Sequence, residues 1–417
     1  MVENGRERVK VDFDHYIDRY NTDSLKWDAY HRDYPELSPE DKLLPVWIAD
    51  MDFKCPGPVI DAVVHRAEYG IYGYTTTNTD DFKQDCVQWL KRRYSYETDP
   101  EWILYTRGII PGFNVAIQAF TNPGDGILIT QPVYSPYAAS ISDNGRHVVN
   151  SELKPADGKY VIDFDDFEKK AALGSTKMFL MSNPHNPVGR VWTREELSRI
   201  GEICVKHHVL IVSDEVHADL MMKGYHHTPI ASISREFADI TISCYAPSKT
   251  FNMAGLHTSY FVISNPVLRN EFILQHNRNR IWDINYFGAA ALKAAYTQCD
   301  EWLEEVLVYI EGNIDYMQDY IEKNIPNIKM YRPEGTYLVW ADFSGTGMSQ
   351  AEFEHAMLFE AKLAVDFGKW FGENCGCCAR FNLATPRSIV EDMMRRLEKA
   401  FASPDKSWGK NKKEVVA

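Results

Sequence analysis

Basic residues are in short supply: 45 lysines and arginines stand against 59 aspartates and glutamates in 417 residues, a formal net charge of −14. That deficit argues against nucleic acid or an anionic membrane surface as the main partner, because both need basic patches to displace counterions or meet headgroups. The basic stretch from Lys406 to Lys413 is short and terminal and reads as a frayed end. No apolar run approaches the length that spans a bilayer, and the charged stretch Met1 to Val11 lacks the apolar core of a secretory signal. A cytoplasmic address is therefore expected. Cysteine is sparse as well: eight in a chain of this length (Cys55, Cys86, Cys204, Cys244, Cys299, Cys375, Cys377 and Cys378) do not make a disulfide framework, and a reducing compartment keeps them as thiols. Cys375, Cys377 and Cys378 crowd together, but no second cysteine pair completes a set of four metal ligands. The pairs His207-His208 and His226-His227 lack the i, i+4 spacing of helical metal ligands. Low-complexity segments are missing too, and 45% hydrophobic with 25% charged residues is an ordinary globular balance, in a chain long enough for two or three compact units.

Between Pro100 and Pro266 one grammar repeats: a short apolar run, a cluster of polar and turn residues, then a helical segment. The runs Gly126 to Thr130, Lys177 to Met181, Val209 to Val212, Ile240 to Cys244 and Tyr260 to Ile263 are mostly continuous rather than alternating. That is the pattern of strands covered on both faces, so a mostly parallel sheet flanked by helices is predicted. Thr193-Arg-Glu-Glu196 is a capping-box pattern opening a helix that ends near His208, and Pro111 suits a first turn after Gly108. The spacing of Trp302, Val306, Tyr309, Ile310, Ile314, Met317 and Ile321 predicts a helix from Asp300 to Asn324, leading into a second, smaller α/β region. The expected division is a large domain over 55–300, with 1–54 and 301–417 forming the small one.

In open parallel sheets ligands bind beyond the carboxyl ends of the strands, so the residues after each run carry the chemistry. They are Gln131-Pro-Val-Tyr134, Asn183-Pro-His-Asn186, Ser213-Asp214-Glu215-Val216-His217 and Tyr245-Ala-Pro-Ser248-Lys249. Pyridoxal phosphate (PLP) needs what such a set offers: an amine, a carboxylate for the pyridine nitrogen, a donor to the ring oxygen, an aromatic face and a phosphate cradle. Asp214 is the candidate carboxylate, since a nearby anion favours the protonated pyridine. The phosphate is expected on the backbone N–H groups of Gly108, Ile109 and Ile110, where a helix dipole welcomes an anion, with Ser248 adding a hydroxyl. Each residue also has a plain structural use: Asp214 as a helix cap, Asn186 as a turn former, the tyrosines as half-buried aromatics, Arg380 as a partner for a surface carboxylate. Their company at successive strand ends is what points to a site.

Eight stretches carry a resemblance. They are Ser24-Leu-Lys-Trp-Asp28, Leu44-Pro-Val-Trp-Ile-Ala-Asp-Met-Asp-Phe53, Gly70-Ile-Tyr-Gly-Tyr74, Thr121-Asn-Pro-Gly-Asp125, Ser182-Asn-Pro-His-Asn-Pro-Val-Gly-Arg190, Ser213-Asp-Glu-Val-His217 and Ala246-Pro-Ser-Lys-Thr-Phe-Asn252, with Arg380-Phe-Asn-Leu-Ala384 near the end. In this order they resemble fold-type I PLP enzymes of the class I/II aminotransferase superfamily, and within it the C–S β-lyases of the MalY/PatB type. The resemblance implies Lys249 as the Schiff-base lysine, Asp214 on the pyridine nitrogen, Asn186 and His217 beside the ring oxygen, and Tyr134 stacked on the ring. It implies a homodimer in which Tyr74 reaches the phosphate of the other subunit's cofactor, and Arg380 as the holder of the substrate α-carboxylate. The expected reaction is β-elimination from an S-substituted L-cysteine such as L-cystathionine, giving pyruvate, ammonia and a thiol. An aminotransferase is the alternative, and a protein-binding regulator with residual catalysis a third reading.

Four features depart from the family pattern. His257 stands where generic aminotransferases carry a phosphate-binding arginine, which agrees with the lyase branch. Asp366-Phe-Gly368 and Glu373-Asn-Cys-Gly-Cys-Cys378 replace a Glu-Pro-Gly and a glycine-rich loop, and Arg107 occupies a position usually held by a small residue or proline. The stretch from Tyr30 to Lys42 has no counterpart.

Overall fold

The computed structural model describes residues 11–38, 40–76, 80–281 and 283–402; the Lys406 to Lys413 stretch and the first ten residues lie outside them. Apolar runs become strands where the pattern placed them. The large sheet contains β1 (Ile103–Thr106), followed by helix α1 (Ile109–Phe120), then β2 (Gly126–Ile129), β3 (His147–Asn150) and β4 (Thr176–Ser182). Helix α2 (Arg194–His207) leads to β5 (Leu210–Asp214), β6 (Thr241–Tyr245), the single turn α3 (Pro247–Thr250) and β7 (Ser259–Val262). The spatial order is β1-β7-β6-β5-β4-β2-β3. Every pairing from β6 through β3 is parallel, whereas β7 runs antiparallel to both β6 and β1.

Two strands went unforeseen. β3 is an edge strand whose side chains are exposed or half-buried, so it carries no continuous apolar run, and β1 is only four residues long. Helix α2 is closed at both ends: Thr193 and Glu196 form the reciprocal capping box, and His208 takes the left-handed conformation at φ 56°. Helix α1 lies so close to the sheet that a Cβ on Gly112 would come within 2.1 Å of the Phe261 ring on β7.

Helix α4 (Asp300–Asn324) buries Trp302, Val306, Ile310, Ile314, Met317 and Ile321 along one stripe. It leads to an antiparallel sheet of β8 (Lys329–Tyr331), β9 (Leu338–Asp342), β10 (Asp366–Phe367) and β11 (Cys378–Asn382), ordered β8-β9-β11-β10, and then to helix α5 (Arg387–Phe401). The N-terminal segment is tied to this second sheet region. Leu44 and Pro45 pair in parallel with Leu363 and Ala364, and the Asp52 N–H donates to Ala384 O at 2.9 Å. The stretch from Tyr30 to Lys42 packs here as well: Tyr34 donates to Val365 O at 2.5 Å, with its ring against Phe367 and Trp370. All eight cysteines are unpaired thiols, six of them buried.

Candidate active site

The carboxyl ends of β4, β5 and β6 lie side by side, and the second sheet meets them where Arg380 contacts Asn186. Lys249 sits in α3, directly after β6, and its Nζ donates to Ala49 O at 2.7 Å. Burial lowers its ammonium to about 8, with Arg380 pushing the same way. A free amine is thus available near neutral pH. Asp214 ends β5, where its carboxylate accepts from Tyr137 OH at 2.9 Å and from the Val216 N–H at 3.2 Å. Burial pushes this carboxyl up to about 6, with the Tyr137 and Val216 hydrogen bonds and the charge of Lys249 opposing. His217 is buried with Nδ1 lacking a partner among the described residues, and burial, followed by Lys249 and Arg380, drives its pKa well below the ordinary range. It is a neutral donor or acceptor.

Asn186 and Arg380 meet across the two sheets. Arg380 Nη1 donates to Asn186 Oδ1 at 2.8 Å, while Nη2 pairs with Asp366 and the guanidinium lies 4.9 Å from the Phe371 ring centroid. Its buried Nε has no acceptor among the described residues. Tyr134 is held by its N–H on Asn186 O at 3.1 Å, with its ring 6.0 Å from Tyr137 and in edge contact. At the start of α1, Gly108 adopts φ 123°, which only glycine takes without strain. The three N–H groups expected there do not stand alike: Gly108 N–H already donates to Ser259 Oγ at 3.0 Å, leaving those of Ile109 and Ile110 to open the helix. Ser248 lies one residue before Lys249 in α3. Tyr74 is not gathered with this set in the single chain; it is 98% exposed.

Sequence reasoning missed several neighbours. Tyr337 donates to Ala49 O at 2.9 Å, the acceptor it shares with Lys249, and its ring lies 6.1 Å from His217. Tyr137 fastens Asp214, and Thr250 donates to the buried Asp219 at 2.8 Å, anchoring the turn that carries Lys249. Tyr137 had a signal, lying three residues beyond Tyr134. Asp366 was visible as a departure but without a role, and Arg107 turns outward to Asp283, to whose backbone oxygen its Nε donates at 3.1 Å.

Comparison with known proteins gives a family match. The model for aminotransferase class I and II matches residues 48–397. Cystathionine beta-lyase PatB of Bacillus subtilis is 39% identical over 393 residues, covering 94% of this chain and 100% of the relative. The crystal structure of cystalysin from Treponema denticola, which contains a pyridoxal 5'-phosphate cofactor, aligns with TM-score 0.90 at 37% identity over 94% of this chain and 99% of that one. A PLP-bound C-S lyase from Staphylococcus hominis, complexed with L-cycloserine, aligns with TM-score 0.89 at 32% identity, covering 94% of this chain and 98% of that one.

Proposed function

The chain belongs to the class I and II aminotransferase family, and on that premise we propose that it is a PLP-dependent carbon–sulfur β-lyase acting on S-substituted L-cysteines such as L-cystathionine. The carrying observation is the meeting in one site of the Lys249 amine, the buried Asp214 carboxylate and a buried Arg380 guanidinium with an unpartnered Nε. The residues fit the cofactor. Lys249 would hold it through its amine, Asp214 would face the ring nitrogen, Asn186 and His217 would flank the ring oxygen, and Tyr134 would cover the ring. Ile109 and Ile110 at the N-terminus of α1, with Gly108 and Ser248, would receive the phosphate. The orphaned His217 Nδ1 is the kind of buried polar atom that a ligand satisfies.

Bound there, pyridoxal phosphate supplies an electron sink for negative charge at the substrate α-carbon. The chain's own groups do the rest. Arg380 presents donors in a plane that matches the α-carboxylate. Lys249 Nζ, with its pKa near 8, takes the α-proton as a general base, and the thiolate then leaves from the β-carbon. Ala49 O and Tyr337 fix where that amine rests.

The same reading includes a homodimer with shared sites. Tyr69, Ile71, Tyr72 and Tyr74 are 67%, 65%, 61% and 98% exposed, a run of apolar surface that a partner subunit would cover. It also keeps 55–300 as the large domain and 1–54 with 301–417 as the small one, supported by the pairing of Leu44–Pro45 with Leu363–Ala364. A cytoplasmic address belongs to it and rests on the sequence; among the described residues no helix is long and apolar enough to cross a membrane.

The deciding experiment incubates PLP-loaded protein with L-cystathionine, and separately with an S-alkyl cysteine, without any keto acid. Equal release of pyruvate, ammonia and thiol over many turnovers is expected. Product formation only after a keto acid is added, together with a new amino acid, would replace the lyase reading by the aminotransferase one.

A further inference from the structure

The site holds a carboxylate that the proposed reaction does not use. Asp366 and Arg380 are direct partners in the antiparallel ladder of β10 and β11, so their side chains leave the sheet on the same face and meet as an ion pair. Both are buried, at 6% and 4% exposure. The guanidinium is fixed by Asp366, Asn186 and the Phe371 ring, yet its Nε–H has no acceptor among the described residues. A planar cation with one edge satisfied by a built-in carboxylate and a further donor left open is prepared for a second carboxylate.

Two carboxylates on one buried guanidinium leave the pair one positive charge short. The groups facing Asp366 do not remove that deficit: Arg380 is the shared cation itself, burial weakens the charge of Lys249, Asp33 is anionic, and the Tyr34 and Tyr134 phenols are neutral. Lys249 is also the amine expected to be engaged by the cofactor. Tyr34 cannot donate to Asp366, because its hydroxyl is committed to Val365 O. Burial already raises the Asp366 carboxyl above its ordinary value, with Arg380 opposing.

We infer that Asp366 sets carboxylate affinity by competing with the substrate's α-carboxylate for Arg380, so that binding an amino acid drives proton uptake at Asp366. The inference rests on the assignment of Arg380 to the α-carboxylate. Linkage makes the coupling reciprocal: whatever the arriving carboxylate costs an ionised Asp366, a protonated Asp366 returns as tighter binding. The residue thereby limits how firmly any carboxylate is held, product as well as substrate.

The test uses the PLP-loaded protein and glycine, which has no β-carbon and hence no leaving group, with methylamine as the matching amine that has no carboxylate. Calorimetry in two buffers of different ionisation enthalpy, repeated as the pH is lowered from 8, counts protons taken up on binding. Wild-type protein is expected to take up more protons with glycine than with methylamine, and Asp366→Asn, which keeps a hydrogen-bond acceptor for Arg380, to abolish the difference. The variant should also bind glycine about tenfold more tightly at pH 8, with the gain shrinking as pH falls and Asp366 of the wild type becomes protonated. Equal proton counts for the two ligands in wild-type protein at every pH of that series would overturn the inference without recourse to any variant, as would glycine binding that is unchanged or weaker in Asp366→Asn at pH 8. Arg380→Lys separates the premise: if it keeps the full preference for glycine over methylamine, the assignment of Arg380 fails, and the competition with it.

Discussion

Asp214 is held at about 6 by burial, against an ordinary value of 3.8. A carboxyl whose pKa is higher in the folded state binds more protons folded than unfolded, so this group withdraws stability from the cofactor-free protein as pH rises from about 4 to about 6. The full effect at neutral pH is about 3 kcal/mol. Asp214→Asn should therefore melt higher than wild type at pH 7 when both are stripped of cofactor, with the gap closing toward pH 4, while losing most of its affinity for pyridoxal phosphate. Thermal melts across that range check the first part and cofactor titration the second. Lys249→Ala should retain the fold, lose the covalently held chromophore, and lose turnover by about 10²–10⁴-fold from proton transfer alone, which absorbance and pyruvate assays read separately. These two residues were legible in the sequence because each lies where an apolar run stops. Asp366 and Tyr337 were not, because they arrive from the second sheet, and nothing local in Asp366-Phe-Gly368 or Gly335-Thr-Tyr337 announces that the fold turns them toward Lys249.

Among the elements, α1 does the most with the least tolerance. Its N-terminus offers the Ile109 and Ile110 N–H groups to the proposed phosphate, and Gly112, one turn in, lets the helix approach β7. Gly112→Ala places a Cβ 2.1 Å from the Phe261 ring, so the helix or the ring must shift. A loss of about 1–3 kcal/mol is expected in urea denaturation, together with weaker pyridoxal phosphate binding as the N-terminus moves off its site. Helix α2, by contrast, is far from exacting: its capping box could be read directly from Thr193-Arg-Glu-Glu196. Strand existence was legible because burial on both faces forces continuous apolar runs. Strand direction was not, and nothing in Tyr260 to Ile263 marks β7 as the antiparallel member, since side-chain burial is the same whichever way the backbone runs.

At the scale of the whole molecule, the single chain leaves Tyr74 facing solvent with Tyr69, Ile71 and Tyr72 beside it. Light scattering at assay concentration should give a dimeric mass. Tyr74→Phe should keep that mass while weakening pyridoxal phosphate binding, because only the hydroxyl is lost. A monomeric wild type would sink the shared-site arrangement. The sequence carried Tyr74 only through the family resemblance, since its proposed contact is to another copy and no periodicity within one chain encodes it.

The six buried cysteines acquire a meaning from the proposed chemistry. A catalyst that liberates a thiol at every turnover bathes itself in a nucleophile and, once air oxidises that nucleophile, in disulfides. Burial pushes the Cys86, Cys204 and Cys244 thiols upward, so they remain protonated and unreactive. The large sheet and the helices packed on it are in this way insulated from poisoning by the enzyme's own product, whereas Cys375, whose thiol the neighbouring Cys378 holds below its ordinary value, does not share that protection.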